Sequence, residues 1–150
     1  MKRITVHCSA TKPSDNTTVD DVRAMHLARG WSDIGYHWFI ERDGSIREGR
    51  PETKTGAHVY GHNRDNLGIC LSGGISESGK PEDNFTPEQY DSLLWLIDSK
   101  VSQYGVKLVD VKGHRDYSPD LNGDGKITKN EFIKMCPCFD VQAWLKERDV

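Results

Sequence analysis

The chain opens on a period-two run. In "RITVHCSA", Ile4 and Val6 fall on one side of an extended backbone and Thr5 and His7 on the other, which predicts a short first strand. After the loop "TKPSDNTT", Thr18 followed by Asp21 has the spacing of a capping box. Val22, Met25 and Ala28 or Arg29 continue at helical spacing until Gly30 stops the helix. "YHWFIERDGSIREG" reads as a β-hairpin turning at Asp43-Gly44. "NLGICLSGG" is a continuous apolar run closed by two glycines, the pattern of a strand buried on both faces and central in its sheet. Thr86, Pro87 and Gln89 mark the start of a long helix whose apolar face is Tyr90, Leu93, Leu94, Ile97, Val101 and Tyr104, with Gly105 at its end. "VKLVDVKG" predicts a further strand, and "FDVQAWLKER" a terminal helix capped by Asp140. The order β, α, β, β, β, α, β, α predicts an α/β fold with a mixed, mostly central β-sheet flanked by helices.

Composition narrows this picture. The chain has 150 residues, the length of one domain able to bury a core, with 35% apolar and 29% charged residues. A net charge of -3 leaves no basic footprint for nucleic acid. No apolar run is long enough for a membrane span, and "ITV" before His7 is too short for the apolar stretch of a secretion signal. The expectation is a protein made and folded in a cytosol, monomeric and not inserted in a membrane. Cysteines at 8, 70, 136 and 138 do not form the spacing of a secreted disulfide framework. Cys8 and Cys70 lie in strand-like runs and read as small core residues.

Three residues at strand ends or in the following loop could carry chemistry: His7, His114 and Cys136. Two imidazoles and one thiolate with an open fourth position would make a catalytic zinc site. Isolated histidines at strand ends are also ordinary surface or core residues. With ligands more than 100 residues apart, spacing alone does not choose between these readings. His37 alternates with Tyr36 and points to the opposite face, a structural position, while His62 and His26 are expected at the surface.

A second candidate site is local. From Asp120 the chain reads D-L-N-G-D-G-K-I-T-K-N-E. Oxygen donors fall at positions 1, 3, 5, 9 and 12 of an EF-hand loop, namely Asp120, Asn122, Asp124, Thr128 and Glu131. Lys126 at position 7 would contribute its backbone carbonyl, Gly125 makes the sharp turn and Ile127 holds position 8. Pro119 precludes an ordinary entering helix, so one calcium loop with a single exiting helix over about 129–135 is expected. The competing reading is a Gly/Asp-rich surface turn.

The segments "VHCSATKPSDN", "GWSDIGYHWFIERDGSIREGR", "GAHVYGHNRDNLGICLSGG", "GKPEDNFTPEQYDSL" and "KMCPCFDV" resemble, in order and almost end to end, the small phage lysozymes that are zinc-dependent N-acetylmuramoyl-L-alanine amidases. These belong to the type 2 amidase and peptidoglycan-recognition superfamily. The resemblance implies that fold over residues 1–150, with the calcium loop as an insertion at about 117–132. It implies zinc ligands at His7, His114 and Cys136, catalytic groups at Tyr36 and Lys134, and a substrate-binding role for His58 in the cleft. Cys138 stands where many relatives carry a small residue and is expected to be packed or capping. The implied substrate is bacterial peptidoglycan, and the implied setting is a phage or prophage endolysin that reaches the wall after release through a membrane lesion. The calcium loop would lie between His114 and Cys136, and its exiting helix would carry Lys134, so bound calcium would stiffen the segment that positions both. A non-catalytic wall-binding module is disfavoured because the ligand set, Tyr36 and Lys134 are all present. A calcium sensor is disfavoured by the single loop.

Overall fold

Strand β4 (Asn66–Leu71) lies in the middle of the sheet, where its run of buried side chains belongs. The computed structural model describes residues 1–118, 127 and 135–148. Around β4 stand β1 (Arg3–Cys8), β2 (Trp38–Ile40), β3 (Ile46–Glu48) and β5 (Val111–Gly113), in the order β3-β2-β4-β1-β5. Only β2 and β3 are antiparallel, joined by the hairpin expected at Asp43-Gly44. The other pairings are parallel, with Ile4↔Leu67, His7↔Cys70 and Ile4↔Val111 in register. Beyond β2 the ladder continues through Tyr36 and His37, whose carbonyls accept from Arg50 N and Gly49 N at 2.8 Å each.

The register divides the sheet into two unlike faces. Ile4, Val6, Leu67, Ile69 and Leu71 form an apolar face. It packs against Leu93, Leu96 and Ile97 of α2 (Pro87–Tyr104) and against Val141, Trp144 and Leu145 of α3 (Val141–Glu147). The other face carries Thr5 and His7, and α1 (Val19–Ala28) covers part of it through Val19 and Val22 against Ile34, Phe39 and Cys70. Cys8 and Cys70 are buried, as their contexts suggest.

The capping predictions hold at Thr18, Thr86 and Asp140, and α2 ends at Gly105 with φ 67°. Gln89 does more than cap. Its Oε1 accepts from Thr86 N at 2.9 Å, and its Nε2 donates to Ser72 O at 2.9 Å and Ile40 O at 3.2 Å. This polar side chain is fully buried because it satisfies backbone at the ends of β2 and β4. Leu96 also joins the core, whereas Leu94, Val101 and Tyr104 are only partly buried.

Two expectations fail. The run "VKLVDVKG" is strand only from Val111, since Leu108–Asp110 forms a 3-10 turn. β5 is an edge strand, and the Leu108 carbonyl accepts from the Gln142 side chain of α3 at 2.7 Å rather than from a neighbouring strand. His26, expected at the surface, is buried: its Nδ1 accepts from Gly35 N at 2.9 Å and its ring lies tilted against that of Trp31, centroids 4.6 Å apart. The helical period places it one turn from Val22, on the core side. His37 is likewise buried, accepting from Gly68 N at 3.0 Å while its Nε2 contacts Lys54 O at 2.8 Å.

Burial pushes His26 below the ordinary imidazole value, with Arg29 and Arg50 adding to the shift, and burial does the same to His37. Each ring accepts a backbone hydrogen bond through Nδ1, which a second ring proton would break. Below the ordinary imidazole range the unfolded chain therefore binds more protons than the folded one, and stability falls as pH falls. The melting temperature should drop between about pH 7.5 and about pH 5, and thermal melts should show a shallower drop for His26→Asn, which keeps an acceptor for Gly35 but does not titrate. An unchanged slope in that variant would remove His26 from the acid response.

Candidate active site

His7, the penultimate residue of β1, is 1% exposed and packs against Tyr36, His58 and His114, which line a cleft of ≈ 730 Å³. β5 ends at Gly113, and His114 begins the 3-10 turn His114–Tyr117. The Asp116 carboxylate caps that turn by accepting from Gly113 N at 2.8 Å, and burial raises its pKa. Cys136 is tied to both neighbouring strand ends. Its carbonyl accepts from Arg115 N at 2.9 Å, and its Sγ accepts from Cys8 N at 3.0 Å.

Those ties bring one ligand atom each from His7, His114 and Cys136 within 4.8 Å of one another. Among the described residues this is the group of histidine, cysteine and acidic side chains with metal-holding geometry. An ion at about 2.0–2.3 Å from imidazole nitrogens and a thiolate fits such a separation, and the N/N/S donor set suits zinc. The backbone amide of Cys8 aimed at Sγ stabilises negative charge on the sulfur.

Tyr36 borders the cleft with its ring centroid 5.0 Å from that of His7. Burial, and then the nearby thiols, push its phenol well above the usual value, so it keeps its proton across the neutral range. His58 is 8% exposed and lines the same cleft. Its Nδ1 lies 2.9 Å from His7 Nε2 and its Nε2 lies 2.8 Å from Asn66 O. Burial drives its pKa down to about 4, so the ring is uncharged. The lining also includes Met25 of α1, Arg29 and Trp31 just after that helix, and the fully exposed Tyr60. The volume lies within the range of small-ligand sites.

The remaining thiols surround Cys136 without joining the ligand group. Cys8 is pushed up chiefly by its hydrogen bond to Cys136, and Cys138 by its hydrogen bond to Cys8. Cys138 has φ 74° and directs Sγ to Gly74 O at 3.4 Å, a packed position at the approach to α3. His62 is exposed, as expected. Lys134 and the calcium-loop residues Asp120, Asn122, Asp124, Lys126, Thr128 and Glu131 lie outside the described residues, as does the exiting helix predicted from 129.

Sequence reasoning did not find the supports beneath the site. Thr5 Oγ1 donates to Asn66 Oδ1 at 2.7 Å and lies 3.1 Å from Tyr117 OH, while Asn66 Nδ2 donates to His62 O at 2.8 Å. The only sequence signal was the polar alternation of Thr5 within β1, which marks a face and names no partner.

Comparison with known proteins agrees with this geometry. Residues 1–128 match the family model described as N-acetylmuramoyl-L-alanine amidase, a match that stops before Cys136. The endolysin of Enterobacteria phage T3 is 39% identical over 147 residues, which is 98% of this chain and 87% of that protein. The N-acetylmuramoyl-L-alanine amidase LysC from Clostridium intestinale superposes with a TM-score of 0.74 at 29% identity, covering 98% of this chain and 83% of that one. The bumblebee recognition protein PGRP-SA shares the fold, with a TM-score of 0.72 at 23% identity over 97% of this chain and 80% of that one. The chain belongs to the N-acetylmuramoyl-L-alanine amidase family and is a peptidoglycan hydrolase.

Proposed function

We propose that this chain is a zinc-dependent phage or prophage endolysin that cleaves the amide between N-acetylmuramic acid and the L-alanine of the stem peptide. The observation that carries the reading is the meeting of His7, His114 and Cys136, from the ends of two strands and a loop, with His114 and Cys136 lining the cleft. When bound, zinc would polarise the amide carbonyl and lower the pKa of a water, which an unreactive amide needs. His7, His114 and Cys136 would hold the ion with one position left open. Tyr36, protonated in the neutral range, would donate a hydrogen bond to the oxygen on which charge develops. Lys134, two residues before Cys136 in sequence, would place a positive charge near the same oxygen. The Cys8 amide would temper the thiolate, and the cleft wall would seat the sugar and peptide on either side of the scissile bond.

We also read residues 120–131 as a structural calcium loop with Asp120, Asn122, Asp124, Lys126 through its carbonyl, and Glu131 as ligands. What supports it is the sequence pattern. Hard oxygen donors prefer calcium and the N/N/S set prefers zinc, so the two ions need not compete.

Digestion of purified cell wall should create new L-alanine amino termini and no new reducing sugars. New reducing ends would refute the bond assignment. Cys136→Ser should lower both zinc content and activity by at least about 100-fold, beyond the roughly 10–100-fold usual for outer partners of a metal site, while Cys138→Ser should keep most of both. Metal analysis and turbidity assays check this, and exchanged phenotypes would move the ligand to Cys138.

The calcium reading makes a separate prediction. Calcium at a hundred-fold excess over its dissociation constant should stabilise the wild-type protein by about 2.7 kcal/mol in a chelator-controlled melt. Glu131→Ala should abolish that gain without changing zinc content, whereas Lys126→Ala should retain it. A wild-type melt indifferent to calcium would rule the loop out as an ion site.

A further inference from the structure

His58 lines the cleft, and its two ring nitrogens are both engaged with this chain's own atoms. Nε2 lies 2.8 Å from the backbone carbonyl oxygen of Asn66. A carbonyl oxygen carries no proton, so Nε2 is the N–H of His58. In the uncharged ring that burial favours, Nδ1 then holds the lone pair. That lone pair faces His7 Nε2 at 2.9 Å, so His7 Nε2 must donate and the lone pair of His7 stands on Nδ1.

We infer that His58 is a positioning residue, which fixes the tautomer and ring orientation in which His7 presents Nδ1 to the metal. This deepens the zinc reading above and rests on it. Donation by a ligating imidazole to a second acceptor is the general means of holding such a ring and making it a better ligand.

The surroundings of His58 leave it little freedom. Its backbone N–H donates to Asn63 Oδ1 at 2.8 Å, which closes the 58–63 loop. A Cβ on Gly68 would lie 2.8 Å from Cδ2 and Cγ of the ring, and one on Gly56 would lie 2.7 Å from Cδ2. The two glycines are thus flush with the imidazole, and Gly68 opens a seat for it in the middle of β4. Asn66, whose carbonyl terminates the chain of bonds, is itself fully buried and held by Thr5 and by the His62 carbonyl. The line His7–His58–Asn66 therefore runs from the metal group into the central, fully buried strand of the sheet.

The test uses the full chain loaded with zinc. Long-range nitrogen–proton correlation spectra of its histidine rings, with the His7 signals assigned by their loss in His7→Ala, should show His7 protonated at Nε2 and metal-bound at Nδ1. Zinc affinity, read by competition with a chromophoric chelator, should fall about 10–100-fold in His58→Leu. His58→Asn places an amide oxygen where Nδ1 now lies, so it should restore most of that affinity. The inference is overturned if His7 carries its proton on Nδ1, if His58→Leu binds zinc as wild type does, or if Asn and Leu lose affinity equally. Failure of the underlying reading looks different: wild-type protein would take up no stoichiometric zinc, or His7→Ala would bind it unimpaired, and the inference would fall with it.

Discussion

Strand β1 pairs in parallel with β4 on one side and with β5 on the other, and this register places His7. A slip of one residue would exchange the faces, sending Ile4 and Val6 toward the cleft and His7 into the apolar layer under α2. The same pairing aligns the C-terminal ends of β1 and β5, so His7 and His114 leave the sheet side by side with ring centroids 4.6 Å apart. Cys136 is then drawn to both through the amides of Cys8 and Arg115. Neither imidazole could reach the thiol if the strands were not neighbours.

The two faces of the sheet do different work. The face toward α2 and α3 is a layer of aliphatic and aromatic side chains whose burial stabilises the domain. Beside the apolar contacts of α1, the other face carries a buried polar network of Thr5, His7, Asn66, His37 and His58 that is bonded to backbone and among its own members. Such a network is tolerable because it is hydrogen-bonded, and it holds side chains in single orientations. Gly68 fits this scheme: it sacrifices a side chain in the central strand so that a ring can lie against the backbone.

The family resemblance spans enzymes and recognition proteins that share one architecture. Chemistry therefore has to be argued from the site rather than from the fold. In this chain Cys136 with its backbone support, the two histidines and a protonated Tyr36 stand together beside an open cleft. Cys8 and Cys138, their thiols held uncharged by hydrogen bonds and burial, lie near Cys136 without joining the group that could hold a metal ion.

The sequence by itself determined the order of elements, the caps at Thr18, Thr86 and Asp140, the central place of β4, and the identity of His7, His114, Cys136, Tyr36 and His58 as the residues of interest. These are legible because caps, alternation and motif spacing are local, and because the resemblance runs along nearly the whole chain. Only the tertiary structure decided that His26 is buried, that Gln89 ties α2 to two strand ends, and that Leu108 turns away from β5 toward the Gln142 side chain. It alone set His58 beside His7 within the cleft lining, and gathered side-chain atoms distant in sequence to within 4.8 Å. The reason is physical. A side chain's partner across the sheet depends on strand order and register, and those follow from the summed packing of the whole domain rather than from any one segment.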